Sequence, residues 1–323
     1  MNNPLVSVLM VSYNHEEHIL YALNSVLNQT YKDIQILIAD NYSADNSIAI
    51  IEKWISDNKI ECIFIKHDKN LGVCKAINEL IKMAKGEYIC IFSSDDYFMP
   101  DRIEKQVKIF ESLPAETGII YGDIHVIDNN NNIIESSFYK PFYETMPPSG
   151  DIFKYFLINN PINALGLMLR SKVFEKTGYY DENLLFEDYD MHMRLARDFK
   201  YQYHNDIVGA YRRHKGQFSD IYCTDPDKYT LVLKTNFSTY LKHINYSEYR
   251  PILIKRIIGV FIEMIKLNKL TWREKARYSF IMLKAEHNML NLLIYFLCLT
   301  NLIYFAYRCY RLRYWQSKNI GAL

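Results

Sequence analysis

Along its first hundred residues the chain alternates between two hydrophobic periods. Val6–Val11, Ile34–Ala39, Ile60–Lys66 and Tyr88–Phe92 are short apolar runs rich in Ile and Val, the pattern of strands covered on both faces. Between them apolar residues recur at helical spacing. Ile19, Leu23, Val26 and Leu27 make one face, and Ile48, Ile51, Trp54 and Ile55 a second. Val73, Ala76, Ile77, Leu80 and Ile81 make a third. Strands alternating with helices predict a parallel, doubly wound sheet. Ligands bind such sheets beyond the carboxyl ends of the strands, so the chemistry is expected in the residues that follow each one.

After Pro100 the pattern loosens. It predicts a helix over Arg102–Ser112, a strand over Gly118–Ile127, a polar turn over Asn129–Asn132 and a loop over Pro141–Gly150. Ala164–Arg170 reads as a strand, Glu187–Phe199 as a helix and Tyr201–Arg212 as a strand. From about Asp225 the chain turns helical, aromatic and basic. The expected division is one α/β domain over residues 1–224, in halves 1–100 and 101–224, with a helical region over 225–323.

Composition narrows the function classes. A chain of 323 residues can bury a sizeable core. Its formal charge of +1 speaks against nucleic acid as the main partner, which calls for a basic excess. Cys62, Cys74, Cys90, Cys223, Cys298 and Cys309 form no CxxC pair and read as free thiols of a reducing compartment, not as a zinc site. The opening MNNPLVSVLMVSYN lacks a basic flank and a cleavage site, so it reads as a first strand and not a signal peptide. The expected location is the cytoplasm.

The strand ends carry the candidate chemistry. Ser12-Tyr13-Asn14 ends the first strand and the run Asp40 to Asn46 ends the second. Asn70-Leu71-Gly72 follows the third, and Ser93-Ser94-Asp95-Asp96 the fourth. Any one of these is accounted for as a turn or helix cap, as Asp45 and Asn46 are, since Ser, Asn and Asp favour such positions. Four together at one sheet edge point further, because acids there are costly without a cation or donor. Adjacent carboxylates after a strand suit Mg²⁺ or Mn²⁺ shared with substrate phosphates.

The segments SVLMVSYNHEEHILYALNSVLNQTYKDIQILIADNYSADNS and NLGVCKAINELIKMAKGEYICIFSSDDYFMPDRI resemble the nucleotide-sugar-binding half of family 2 glycosyltransferases over Val6 to about Val107. The resemblance implies a GT-A fold and an inverting, metal-dependent sugar transfer from a nucleotide-sugar, UDP-sugars being favoured. It implies that Ser12, Tyr13, Asn14 and Asn70 line the nucleotide and that Asp40 accepts from the base. By the same likeness Asp95 contacts ribose or diphosphate and Asp96 holds Mn²⁺ or Mg²⁺. This chain departs from the family in having Ser93 where an earlier Asp often stands, Asn41 after Asp40, and Ile77 before Asn78 where many relatives carry Arg.

In the second half, GYYDENLLFEDYDMHMRLARDF crowds acids ahead of a helix. Taken alone it also reads as a well-built helix start, with Asp190 and Arg194 as an i,i+4 pair. Inversion needs one base to deprotonate the acceptor hydroxyl, and a carboxylate at a helix start stays ionised. FEDYD is similar to the family's Glu-Asp motif, which makes Asp188 the base and leaves Glu187 to orient the acceptor. YRRHKGQFS is similar to the element in which a His completes the metal or diphosphate site, implying His214, with Arg212 or Arg213 beside the leaving diphosphate.

Asn288–Tyr307 has no charged residue and is flanked by Arg308, Arg311, Arg313 and Trp315. Its polar Asn and Thr residues favour a helix lying on a membrane surface, or packed on protein, over a spanning one. A surface helix would suit a glycan or lipid-linked oligosaccharide acceptor at the inner face of the cytoplasmic membrane, as in bacterial surface-polysaccharide assembly. Two rivals weaken on local grounds. No glycine or lysine follows the first strand, as a sugar-phosphate nucleotidyltransferase needs, and no GxGxxG follows it, as a dinucleotide oxidoreductase needs. A degenerate nucleotide-sugar-binding or scaffolding protein stays open, on Ser93 and Ile77.

Overall fold

The computed structural model describes residues 3–143, 146–158, 162–186, 188–214 and 224–285, with single residues 217, 222 and 294. The chain divides into two compact units, Met1–Lys215 and Gly216–Leu323.

The first unit is built on one sheet. Strands β1 (Val6–Ser12), β2 (Ile34–Asp40), β3 (Cys62–Lys66) and β4 (Tyr88–Ser93) pair in parallel in the order β3-β2-β1-β4. Helices α1 (Ile19–Leu27), α2 (Ser47–Asn58) and α3 (Val73–Met83) make the crossovers. The predicted periods therefore hold, with Ile60 and Glu61 left outside β3. The reason is burial on two faces: β1 is enclosed along nearly its whole length, and Val6, Val8 and Met10 pack with Ile19, Leu23 and Val26 of α1 in the core.

Beyond β4 the sheet becomes mixed. The short β5 (Tyr97–Phe98) and helix α4 (Arg102–Glu111) lead to the long β6 (Thr117–Ile127), which carries β7 (Ile133–Glu135) on its end. Helix α5 (Phe153–Ile158) precedes β8 (Leu167–Arg170), which runs antiparallel to both β4 and β6 and so joins the two halves. The strand expected over Ala164–Arg170 begins as one 3-10 turn, because its first residues are bent by Asn163, whose side chain accepts from the Leu165 N–H. Gly166 fits there because a Cβ would stand 2.6 Å from the Gly122 carbonyl oxygen. Helices α6 (Val173–Thr177) and α7 (Asp188–Asp198) lead into β9 (Lys200–Arg212), parallel to β6 and antiparallel to β5.

The second unit is helical among its described residues: α8 (Pro226–Lys242), α9 (Arg250–Leu267) and α10 (Trp272–Ala285). Asp225 caps α8 by accepting from the Asp227 and Lys228 N–H groups, with Pro226 at the first turn. Lys234 pairs with Glu274, tying α8 to α10. No helix among the described residues is long and apolar enough to cross a membrane. The apolar run Asn288–Tyr307 lies outside the described residues but for Ile294.

Candidate active site at the sheet switch point

β1 pairs with β2 on one side (Ser12↔Asp40) and with β4 on the other (Val11↔Ser93). The order of strands reverses here, since β2 and β3 extend one way and β4 the other. A crevice therefore opens beyond the carboxyl ends of β1 and β4, the place where open α/β sheets bind ligands.

The β1–β2 side of this edge is tightly bonded. Asp40 is fully buried and its carboxylate accepts from the Ser43 N–H at 2.8 Å and the Ser43 hydroxyl at 2.6 Å. Asn14, with a left-handed φ of 54°, turns the chain out of β1; its N–H donates to Ser43 Oγ and its side-chain oxygen accepts from Ala44 N–H. Ser12 is buried with its hydroxyl unpartnered, while Tyr13 (44% exposed) and Tyr42 (55%) stand out from the edge as open rings. Asn70 takes the Gly72 N–H and the Asn41 amide on its side-chain oxygen, so it holds the loop after β3 onto β2. Of the two expected caps, Asn46 stands at the N-cap of α2 without a side-chain cap bond, and Asp45, one residue earlier, accepts from Ser47 N–H and Glu16 N–H.

The β4 side gathers three more groups. Antiparallel pairing of Tyr97 with Ala210 lays the end of β9 against the turn after β4. That register brings His214 Nε2 to 3.3 Å from Asp95 Oδ2. His15, three residues beyond β1, places Nε2 at 3.8 Å from the same oxygen and Nδ1 at 2.8 Å from Ser94 Oγ. The ligating atoms of His15, Asp95 and His214 all lie within 4.8 Å of one another. His18 is buried with its ring 5.6 Å from that of His214. Burial pushes the His15 imidazole below its ordinary pKa against the pull of Asp95, which leaves it neutral at neutral pH. Burial also pushes Asp95 up, but the hydrogen bond from His214 and the nearby His15 outweigh it and hold Asp95 at about 2.

These residues fit a divalent cation on their own chemistry. Asp95 Oδ1 is buried with no hydrogen-bond partner, an expensive state for an ionised carboxylate, and two imidazole nitrogens converge on its other oxygen. Carboxylate oxygen and neutral imidazole nitrogen are both ligands of divalent first-row metals.

The geometry redistributes the expected roles. Asp96, expected to hold the metal, is 5% exposed and turned inward, with Oδ1 accepting from the Arg212 N–H at 2.9 Å. Burial, reinforced by the charge of Asp95, raises its pKa well above the ordinary aspartate value. Asp95 Oδ2 is instead the carboxylate oxygen that meets His214 Nε2 and lies near His15 Nε2. Arg212, expected at the diphosphate, is fully buried: Nε donates to Asp95 O, Nη1 to Asp128 O and Nη2 to Asn131 Oδ1. It staples the turn after β4 to the turn after β6. Arg213 pairs with Glu135 of β7.

Asp188 opens α7, its Oδ1 2.7 Å from the Tyr189 N–H. Burial raises its pKa from the ordinary aspartate value despite the backbone N–H groups that oppose the shift. Glu187 lies outside the described residues. The loop before α7 is anchored by a residue whose role the linear pattern does not announce. Asn78 of α3 donates to Tyr180 O and Glu182 Oε1 and accepts from Tyr180 N–H, at 2.9 to 3.0 Å. Asp190 and Arg194 form the expected i,i+4 pair at 2.9 Å, and Arg194 also donates to Thr177 O and Tyr179 O, closing the same loop on α7. His15 and His18 are absent from the expected site residues; the signal that could have found them is two metal-ligating types soon after β1, the strand that pairs with β4.

Comparison with known proteins agrees with this architecture. The model of the glycosyl transferase family 2 matches residues 7–178. An uncharacterized glycosyltransferase of Methanocaldococcus jannaschii is 32% identical over 215 residues, 66% of this chain and 72% of that protein. The UDP-Glc:alpha-D-GlcNAc-diphosphoundecaprenol beta-1,3-glucosyltransferase WfaP of Escherichia coli is 30% identical over 224 residues, 67% of this chain and 80% of WfaP. The crystal structure of residues 1–349 of S. aureus TarS in complex with UDP-GlcNAc superposes with a TM-score of 0.60 at 16% identity, covering 92% of this chain and 90% of that one. The mannosyltransferase PcManGT of Pyrobaculum calidifontis, in complex with GDP-Man and Mn²⁺, superposes with a TM-score of 0.56 at 12% identity, covering 96% and 84%. These likenesses carry the GT-A fold, and the sequence matches carry the activity class. The chain belongs to glycosyl transferase family 2.

Proposed function

We propose that this glycosyltransferase moves a sugar, with inversion, from a UDP-sugar to a hydroxyl of a glycan or lipid-linked oligosaccharide, and that a divalent cation held by Asp95 and His214 is required. The observation that carries the reading is the pairing of a buried, part-unsatisfied Asp95 with His214 in the crevice between β1 and β4. When bound there, Mn²⁺ or Mg²⁺ would neutralise charge on the departing diphosphate. Ser12, Tyr13, Asn14 and Asp40 line the nucleotide side, where the exposed Tyr13 and Tyr42 rings offer stacking surface. Asp188 takes the acceptor proton; a base with a raised pKa both removes a hydroxyl proton better and needs less desolvation to do so. The α-linked donor would thus yield a β-linked product. UDP is favoured because TarS was solved with UDP-GlcNAc and WfaP is named for UDP-Glc, and WfaP's diphosphoundecaprenol acceptor supports a lipid-linked one here.

The test is release of nucleoside diphosphate from a panel of nucleotide-sugars, with and without Mn²⁺, by wild type and Asp95→Ala. Cation-dependent release from one UDP-sugar, reduced at least about a hundredfold in the variant, is the expected result. A wild type that binds a nucleotide-sugar yet turns over none, with or without an added glycan acceptor, would instead mark a binding protein. The enclosed Arg212 and the Glu135-paired Arg213 are the observations that favour that second reading, since neither is placed to hold the diphosphate.

A further inference from the structure

The same crevice offers a third donor. We propose that His15 is a ligand of the cation, set in its donor tautomer by Ser94, so that two imidazoles and one carboxylate hold the ion and select Mn²⁺ over Mg²⁺. The inference rests on the cation-dependent reading above and assigns a residue and a selectivity to it.

Three observations converge. The first is separation: His15 Nε2 stands 3.8 Å from Asp95 Oδ2, too far for a hydrogen bond, and His214 Nε2 stands 3.3 Å from it. Two ligand atoms each about 2.1 Å from a shared ion stand about 3 to 4 Å apart, so these gaps suit an ion between the groups. The second is the far side of the ring. His15 Nδ1 lies 2.8 Å from Oγ of Ser94, a fully buried residue. Donation from Nδ1–H to that hydroxyl leaves the lone pair on Nε2, the nitrogen that faces Asp95. Metal-binding histidines are oriented in this manner by a partner on the second nitrogen. The third is backbone preparation: the His15 N–H donates to Ser47 Oγ, and its carbonyl accepts from His18 and Ile19 N–H groups as α1 begins. The side chain is thus presented from a fixed point.

Selectivity follows from ligand type. Mg²⁺ is hard and prefers oxygen, whereas imidazole strengthens the binding of first-row transition ions. A site with two imidazoles should therefore discriminate, and loss of one should weaken Mn²⁺ more than Mg²⁺.

The experiment uses the full chain and Mn²⁺ alone. Free Mn²⁺ is titrated by EPR, Mg²⁺ affinity is read by competition, and pulsed EPR counts the histidine nitrogens coupled to bound Mn²⁺. The expected result is two nitrogens in wild type and one in either His15→Ala or His214→Ala. His15→Ala should weaken Mn²⁺ about tenfold or more and Mg²⁺ less than about threefold, and Ser94→Ala should weaken Mn²⁺ by a smaller factor. A single nitrogen in wild type overturns the inference, as does wild type that fails to bind Mn²⁺. Equal weakening of both ions in a His15→Ala protein with unchanged thermal unfolding also overturns it. The wild-type count does not depend on any variant folding. Failure of the glycosyl-transfer reading would look different: Mn²⁺ bound through two imidazoles, and no nucleoside diphosphate released from any donor.

Discussion

The two halves of the unit Met1–Lys215 assemble their site groups in different ways. In the β1–β4 half, His15 and Ser94 are 79 residues apart, yet each stands within three residues of the end of one of two strands that lie side by side in register. In the β6–β9 half, groups arrive from far along the chain by antiparallel register and loop docking. His214 reaches Asp95 across 119 residues because β9 pairs with the two residues of β5, and the loop ahead of Asp188 is held by Asn78 across 102 residues. The first arrangement is as rigid as the sheet. The second depends on a few side-chain bonds, and so is the half in which small changes should show in turnover before they show in nucleotide binding.

The largest expected effect separates the halves by function. Asp188→Asn should cut kcat by about a thousandfold while leaving UDP affinity within a factor of about two, measured by steady-state kinetics and calorimetry. As the proposed base Asp188 acts unprotonated, and burial raises its pKa, so activity should fall as pH drops, with a midpoint above the ordinary aspartate value. That acid limb should be absent from the residual activity of the Asn variant. Parallel losses of kcat and UDP affinity would show the two halves to be coupled at this residue.

Next in size is an acid sensitivity confined to the second half. His192 of α7 is 2% exposed, stacked on Phe156 with its Nδ1 3.2 Å from the Tyr201 hydroxyl, and its Nε2 has no partner. Burial lowers its pKa to about 4. The unfolded chain takes up this proton below about pH 6.5 and the native chain only near 4, so the contribution is complete above 6.5 and is lost as pH falls to 4. The loss is on the order of 3 kcal/mol. Denaturant unfolding of wild type and His192→Phe from pH 7 to pH 4 checks it: the variant should lose distinctly less stability over that window, and parallel curves would refute the assignment.

Asn78→Ala gives the smallest change and the sharpest comparison. It removes three hydrogen bonds to the 180–182 loop, those of the Tyr180 carbonyl, the Tyr180 N–H and the Glu182 carboxylate. Stability should drop by about 1–3 kcal/mol and kcat by about tenfold, with metal and UDP binding unchanged. Equal damage to Mn²⁺ affinity would mean that the loop supports the switch-point crevice as well.

Within the site, legibility followed the same divide. The edge to which β1, β2 and β4 deliver polar groups was readable, because a strand buried on both faces announces itself by an unbroken apolar run and its end by the first polar residues. The choice between Asp95 and Asp96 was not. Successive residues of a tight turn point to different sides, and which side is solvent depends on β9, a strand more than a hundred residues away. Arg212 looked like a diphosphate ligand by type and position; its burial under Asp95, Asp128 and Asn131 is a property of three chain segments meeting.

By itself, then, the sequence determined the alternation of strands and helices, the edge that carries polar side chains, the helix expected over Glu187–Phe199 and, among the described residues, the helical character of the chain past Asp225. Each of these is set by side-chain periodicity or capping within a few residues. The tertiary structure alone decided that Asp95 meets His214, that His15 stands near the same oxygen, that Arg212 is a staple and that Asn78 holds the loop before α7. Those outcomes depend on strand register and burial, which are settled by the packing of segments far apart in the chain and leave no periodic trace along it.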